Sequence, residues 1–574
     1  MLLLITLFIP LVVALVMMAI PAENRSAHRI VAAAGSGLTF LVSLALWFGF
    51  DKTDAAYQFT TNVPWISSLD IGFRFGLDGM SVLLVMLTTL IMPIAILSSW
   101  EGIRDREKMY YIMIMLLEFG IIGVFASLDT FLFYVFWEVV LIPMYFLIGI
   151  WGGKERIYAS MKFFLYTMAG SLLMLVAIVW LGHYAELQTG QFTTDMQKLL
   201  SLAPTIPFET QKWLFLAFAL SFCIKVPVFP LHTWLPDAHT QAPTAGSVIL
   251  AAVMLKMGTY GLVRFNLQLF PQSSLYYADF ISVLAVIGII YGALLAMVQT
   301  DVKKLVAYSS IAHLGFVTLG IFSMTAEGVQ GAVLQMVNHG LSTGMLFLLI
   351  GFIYERRHTR EMADFGGLAR SMPVYCVFFA IAVFASVGLP GLNGFVGEYL
   401  TLIGAYVSDY LSTPWFAIIG ASGVILAAVY LLILFQRMFF GPLTNPENSK
   451  LKDLTGLEIG ILVPIVLFCV WIGVQPNTFL SVTESSSRAV VGVIDQLKGN
   501  NRYADDVSAR MKRTADTLQL APAVGAGQPG STRVRPGGMP VPPNGAPVPP
   551  NGAPAPQPVQ VQPAPPPPPP PAGR

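Results

Sequence analysis

Fourteen apolar stretches recur along this chain, centred near residues 11, 39, 89, 118, 140, 172, 221, 254, 290, 313, 342, 390, 425 and 466. Each approaches the roughly 20 residues that an α-helix needs to cross the hydrocarbon of a bilayer. Lipid satisfies no backbone N–H or C=O, so only helices and closed barrels can span it. Runs of this length select helices. Composition agrees: of 574 residues, 55% are hydrophobic and only 11% charged, where a soluble domain carries about 25% charge. The sequence reads as an all-α polytopic membrane protein of about 14 transmembrane helices. The first run, MLLLITLFIPLVVALVMMAI, has no Lys or Arg before Arg25, so a retained helix is expected there and not a signal peptide.

Several function classes drop out. Lys and Arg number 33 against 32 Asp and Glu, which leaves no basic footprint for nucleic acid. No GxGxxG or GxxxxGK[ST] motif occurs, so no nucleotide site is expected. Cys223, Cys376 and Cys469 all lie in apolar runs, which excludes a disulfide framework and a zinc or iron–sulfur site of usual spacing. The chain is expected to hold no cofactor and to be surrounded by lipid.

Orientation follows from the cations, because cytoplasmic loops retain Lys and Arg. Loops after the odd-numbered helices hold 17, among them Arg104, Lys303 and Arg356, and the other inter-helix loops hold five: Lys52, Arg74, Lys198, Lys212 and Arg264. Both termini are therefore expected on the non-cytoplasmic side. The expected organisation is N-terminal helices 1–3 in residues 1–100, helices 4–8 in 101–270, helices 9–13 in 271–440 and a last helix in 441–480. A polar, helix-compatible segment (481–519) and a proline-rich tail (520–574) follow. The tail holds 20 of the 39 prolines and is expected to be disordered or polyproline II.

Ionisable residues inside spanning segments cost about 2.5–3.5 kcal/mol each on insertion scales and mark function by default. Glu118, Glu138, Lys225, Lys256 and Glu398 lie in such segments, as do His313 and His339. A single buried pair would read as a packing lock. Groups spread over seven helices suit a proton relay better, and Glu138, Lys225, Lys256, His313, His339 and Glu398 are its candidate members. His28, His183, His232, His239 and His358 read as loop or helix-end residues. Two spans are interrupted beside these charges. Pro227 and Pro230 follow Lys225 and should free the carbonyls of Cys223 and Val226. The run from Gly388 to Gly394 breaks the twelfth helix one turn before Glu398. Helices 4–8 and 9–13 then form two five-helix units with the break in the fourth helix of each, the pattern of inverted repeats around a midplane path.

At this point the chain resembles a known family. KVPVFPLHTWLPDAHTQAPTAGSVILAAVMLKMGTYGLVRF (225–265) is similar to the signature of the antiporter-like membrane subunits of respiratory complex I, an NADH–quinone oxidoreductase. FWEVVLIPMYFLIG (136–149), DVKKLVAYSSIAHLGF (301–316) and GLPGLNGFVGEYL (388–400) support it, over roughly residues 1–480. The resemblance implies fourteen core helices, two inverted repeats, broken helices 7 and 12, and proton translocation driven by quinone reduction elsewhere in the complex. It matches Glu138, Lys225 and Lys256 to the family's glutamate and two lysines on helices 5, 7 and 8. His313 and His339 fall at central-axis polar positions, and Glu398 at the helix-12 group on the exit side, where most relatives carry lysine. It also implies flavin, iron–sulfur clusters and quinone in partner subunits, neighbouring antiporter-like subunits as partners, and a bacterial inner membrane as location. A cation/proton antiporter subunit of the same fold, or a structural membrane subunit, is the alternative. The proline-rich tail departs from the family pattern.

Overall fold

The computed structural model describes residues 1–443, 445–499, 503, 506–508 and 510. The proline-rich tail lies outside them. Twelve helices among the described residues are long and apolar enough to cross a membrane. They are α1 (Leu2–Ala19), α2 (Arg25–Phe48), α3 (Gly79–Ser98), α4 (Glu107–Ala126), α5 (Thr130–Trp151), α6 (Arg156–Thr189), α9 (Thr244–Leu269), α10 (Pro271–Met297), α11 (Val302–Phe322), α12 (Ala326–Arg357), α15 (Trp415–Phe439) and α16 (Gly456–Val474). Two further apolar segments are pairs of shorter helices, α7 (Phe208–Lys225) with α8 (Trp234–Gln241), and α13 (Pro373–Val387) with α14 (Asn393–Tyr406). These are the two segments whose interruption the prolines and glycines predict. An amphipathic helix, α17 (Asn477–Leu497), follows α16 and buries Val482, Val490 and Ile494.

The helices start where the sequence supplies caps. Asp78 and Ser81 cap α3 reciprocally, Asp129 accepts from the first N–H groups of α5, and Asp301 does the same for α11; each satisfies donors that a helix start would otherwise leave unpaired. The central elements are α9 and α12, whose apolar windows are wholly buried. The windows of α1, α2 and α16 are only one-third buried and show apolar side chains outward, as a lipid-facing helix must.

One small sheet departs from the all-helical expectation. Strands β1 (Gln58–Ile66) and β2 (Ile71–Leu77) pair antiparallel between α2 and α3. Arg74 on β2 holds this hairpin to the bundle, with ion pairs of 2.5 Å to Asp70, 2.7 Å to Asp129 and 3.3 Å to Asp195. Burial works against ionisation of Asp70, but hydrogen bonds from Lys198 and Thr193 and the charge of Arg74 outweigh it and hold this carboxyl below its ordinary range. This part of the tie is therefore complete at neutral pH and released only as pH falls through the lowered value. The hairpin marks one end of the bundle. Arg104, Lys303, Arg356 and Arg360 lie towards the other, called here the basic end.

Three expectations about individual residues are corrected. Arg264, counted as a loop cation, is fully buried within α9, because α9 continues through an apolar run that looks like a span end. Lys303, counted the same way, is buried and donates to the Ala242 carbonyl at 2.6 Å. The break after Lys225 does not leave the Cys223 carbonyl free, since it accepts from the Val228 N–H at 2.8 Å. The neighbouring Ile224 carbonyl accepts from Trp234 Nε1 at 2.8 Å. Two carbonyls at the interruption are thus satisfied from within the chain, as burial requires.

Candidate functional site

Lys256 lies at the centre of α9 with no exposed surface. Around it the helix widens into a π-helical stretch, Leu250–Met254, a distortion frequent at functional positions. The side chain of Lys256 turns back onto the Ala251 carbonyl at 2.5 Å and meets His339 Nδ1 of α12 at 2.7 Å. Close helix approach makes this possible: a Cβ at Gly340, next to His339, would stand 2.7 Å from the Ala252 carbonyl oxygen. A glycine is required for α12 to come this near.

The other histidine completes the line. His313 of α11 stands with its ring 5.9 Å from that of His339. Its Nδ1 lies 2.7 Å from Oε1 of Glu398, on the second turn of α14. Tyr430 holds the far side of the imidazole, its hydroxyl 3.4 Å from Nε2 and 2.7 Å from Ser309 Oγ. Gln335 Nε2 also donates to Glu398 Oε1 at 3.1 Å. Asn338 donates to the Asn393 carbonyl and Asn393 to the Asn338 carbonyl, at 2.7 and 3.1 Å, which fastens the start of α14 to α12. The second oxygen of Glu398 faces the break: a Cβ on Gly388 would come within 3.3 Å of Oε2. Gly388 has φ +81°, a conformation that favours glycine.

Four of the six candidate residues therefore form one row, Lys256–His339–His313–Glu398, of two contacting pairs with the imidazole rings 5.9 Å apart between them. Hydrogen-bond chemistry gives the row a direction. When Lys256 is charged its ammonium only donates, so His339 Nδ1 then accepts from it and a neutral ring carries its proton on Nε2. When Glu398 is ionised it only accepts, so His313 then donates to it through Nδ1. Each ring can take up a proton at one nitrogen and release one at the other.

Glu138 and Lys225 stand in a second group. Lys225, the last residue of α7, is fully buried, with Nζ 5.2 Å from the Trp137 ring and 5.6 Å from that of Phe163. Half-buried Glu138 is next to Trp137 on α5, and the two charges act on one another, yet no ion pair within 4 Å joins them. Glu118 belongs to neither group. It is buried beside Ser36 of α2.

His239 was missed. Read as a helix-end residue, it is fully buried on α8, stacked on Phe347 at 4.5 Å, and neither ring nitrogen has a partner among the described residues. It feels the charges of Lys303 and Lys256. The signal that could have found it is its place between Pro230 and Pro243, a stretch too short to be a loop outside the membrane. A polar cavity of about 640 Å³ opens nearby at the basic end, lined by Gln241, Thr244, Lys303, Glu355 and Arg360 among others.

Comparison with known proteins identifies the frame that carries this row. The transmembrane family described as NADH:quinone oxidoreductase/Mrp antiporter matches residues 127–436. The family of the amino terminus of NADH-ubiquinone oxidoreductase chain 4 matches residues 4–123. NADH-quinone oxidoreductase subunit M of Rhodobacter capsulatus is 47% identical over 486 residues, 82% of this chain and 92% of the relative. The chain belongs to the subunit M, or chain 4, family of NADH–quinone oxidoreductase. Chain 4 of Arabidopsis thaliana, from the same family, is 43% identical over 480 residues, covering 83% of this chain and 94% of its own. Among solved structures, a chain in respiratory complex I from Thermus thermophilus with bound NADH is similar at 34% identity and a TM-score of 0.78, covering 86% of this chain and all of that one. A chain of the Mrp complex from Dietzia shares the fold, at 19% identity and a TM-score of 0.72. The higher identity on the oxidoreductase side favours membership of that enzyme over the antiporter alternative. No cluster of three or more His, Cys, Asp or Glu side chains able to hold a metal occurs among the described residues.

Proposed function

We propose that this subunit M family member moves protons across the membrane through the row Lys256–His339–His313–Glu398, driven by quinone reduction in other subunits. The 2.7 Å contacts at both ends of the row, joined by two imidazoles 5.9 Å apart, carry this reading. Protons enter from the basic end through the polar cavity beside Lys303 and His239 and reach Lys256. His339 takes a proton at Nδ1 and passes one on from Nε2. One water bridges rings at this separation. His313 takes it up at Nε2, releases one from Nδ1 to Glu398, and the carboxylate discharges past the break at residues 388–392. Lys225 and Glu138 form a coupled pair on the entry side of the row, in surroundings of low dielectric where each charge strongly biases the other.

The excess of Lys and Arg makes the basic end cytoplasmic, with both termini on the opposite side of a bacterial inner membrane. Fourteen crossings, counting each interrupted segment as one, and two inverted repeats fit this placement. Flavin, iron–sulfur clusters and quinone belong to partner subunits, and neighbouring antiporter-like subunits flank this one. The test is His339→Gln in the complete enzyme, reconstituted in liposomes. NADH-driven acidification should fall by about a hundredfold or more, the lower end of what a positioned proton-transfer group contributes, with the subunit still assembled. Unchanged acidification would remove His339 from the path.

A further inference from the structure

A second buried charge cluster, which no step of the relay uses, stands on α9 towards the hairpin end. Arg264 lies eight residues beyond Lys256, about 12 Å along the helix axis at 1.5 Å per residue. Tyr260 stands midway, and four-residue spacing places all three along one side of the helix. Arg264 Nη2 is 2.7 Å from Asp78 Oδ1, and Arg510 Nη2 is 2.8 Å from Oδ2 of the same carboxylate. Both guanidiniums donate to the Tyr57 hydroxyl, at 2.6 and 2.7 Å. Arg264 Nε donates to the Tyr260 hydroxyl at 3.0 Å, and that hydroxyl donates to the Phe125 carbonyl at 3.1 Å. Asp78 and Arg264 have no exposed surface, and Arg510 is 4% exposed.

One arginine would neutralise Asp78. Among the described residues the second leaves the cluster with a net charge of +1, and burying an uncompensated cation is costly, so a packing lock alone gives no reason for it. A guanidinium does not release its proton in a protein, so neither arginine can pass one along. A fixed cation on a possible proton path is instead a barrier. We propose that the Arg264–Asp78–Arg510 cluster is an electrostatic seal over Lys256 at the hairpin end of α9. It blocks direct release of a proton along that helix and leaves the lateral step to His339 as the way out. The seal rests on the relay reading above. Its third member comes from beyond α17, so the chain past the last long apolar helix completes a working part of the proton path.

A unit charge about 12 Å away, at an effective dielectric near 20, changes proton occupancy roughly tenfold. The experiment reads passive decay of an imposed pH gradient in liposomes holding the complete enzyme, without NADH. Arg510→Gln keeps hydrogen-bond donors but brings the cluster to zero net charge, and the gradient should decay up to roughly tenfold faster. Asp78→Asn combined with Arg510→Gln restores +1 through Arg264 and should be as tight as the parent. Decay at the parental rate in Arg510→Gln would overturn the seal, and so would equal leakage in both variants. Failure of both to assemble would overturn it too, by making the cluster a folding element. Because the decay is read at rest, its outcome is separate from that of His339→Gln, which is read during turnover.

Discussion

His313 and Glu398 are 85 residues apart in sequence, yet His313 Nδ1 lies 2.7 Å from Glu398 Oε1 in the interior of the bundle. The contact joins an unbroken helix to the second half of a broken one. It gives the buried carboxylate a proton donor on one side and the exposed backbone break on the other.

Lys225 has no hydrogen-bond partner among the described residues and faces two aromatic rings. Lys225→Ala removes the buried charge without leaving a carboxylate stranded in an ion pair, so assembly should survive while NADH-driven proton transport is abolished or crippled. Glu138→Ala should behave likewise. Blue-native gels for assembly and acidification assays on the same membranes check both, and full pumping by Glu138→Ala would show that this group is not essential.

Arg74 meets three aspartates within 3.3 Å. Arg74→Ala strands Asp129 and Asp195 as buried carboxylates and should destabilise the hairpin end by about 3–5 kcal/mol, the usual cost of removing one partner of a buried pair. The expected result is loss of assembled subunit in membranes. A normal amount of assembled, thermally stable complex would contradict this.

A chain ending at residue 519 keeps Arg510 and should pump normally, because the proline-rich segment has no core-forming pattern. In sealed right-side-out vesicles, added protease should remove that tail from the full-length chain. Cleavage only after permeabilisation would reverse the proposed orientation, and an assembly defect in the shortened chain would show that the tail docks a partner.

Much of this was legible in the sequence, for a physical reason: an ionisable residue in an apolar run is costly enough to stand out wherever it occurs. That rule found all four members of the row, and prolines and glycines found both interrupted segments. Pairing was not legible, because the period of a helix says which residues share its face but not which helix packs there. Glu118 satisfies the same rule and faces α2, away from the row. His239, Arg264 and Asp78 were misread or passed over because they sit near the ends of apolar runs, where a buried end and a loop have the same composition. The β-hairpin escaped notice for a related cause: its short strands lie between spans, and two strands carry little periodicity.

Glu398 offers the most direct measurement. Glu398→Gln keeps size and hydrogen bonding but cannot titrate, whereas Glu398→Lys puts a titratable group back at the same position. Acidification driven by NADH should be measured for both in liposomes holding the complete enzyme, with electron transfer recorded in parallel. A relay through His313 predicts transport lost in the Gln variant and partly retained in the Lys variant. Equal, near-parental pumping in both would contradict it and leave Glu398 with a packing role alone.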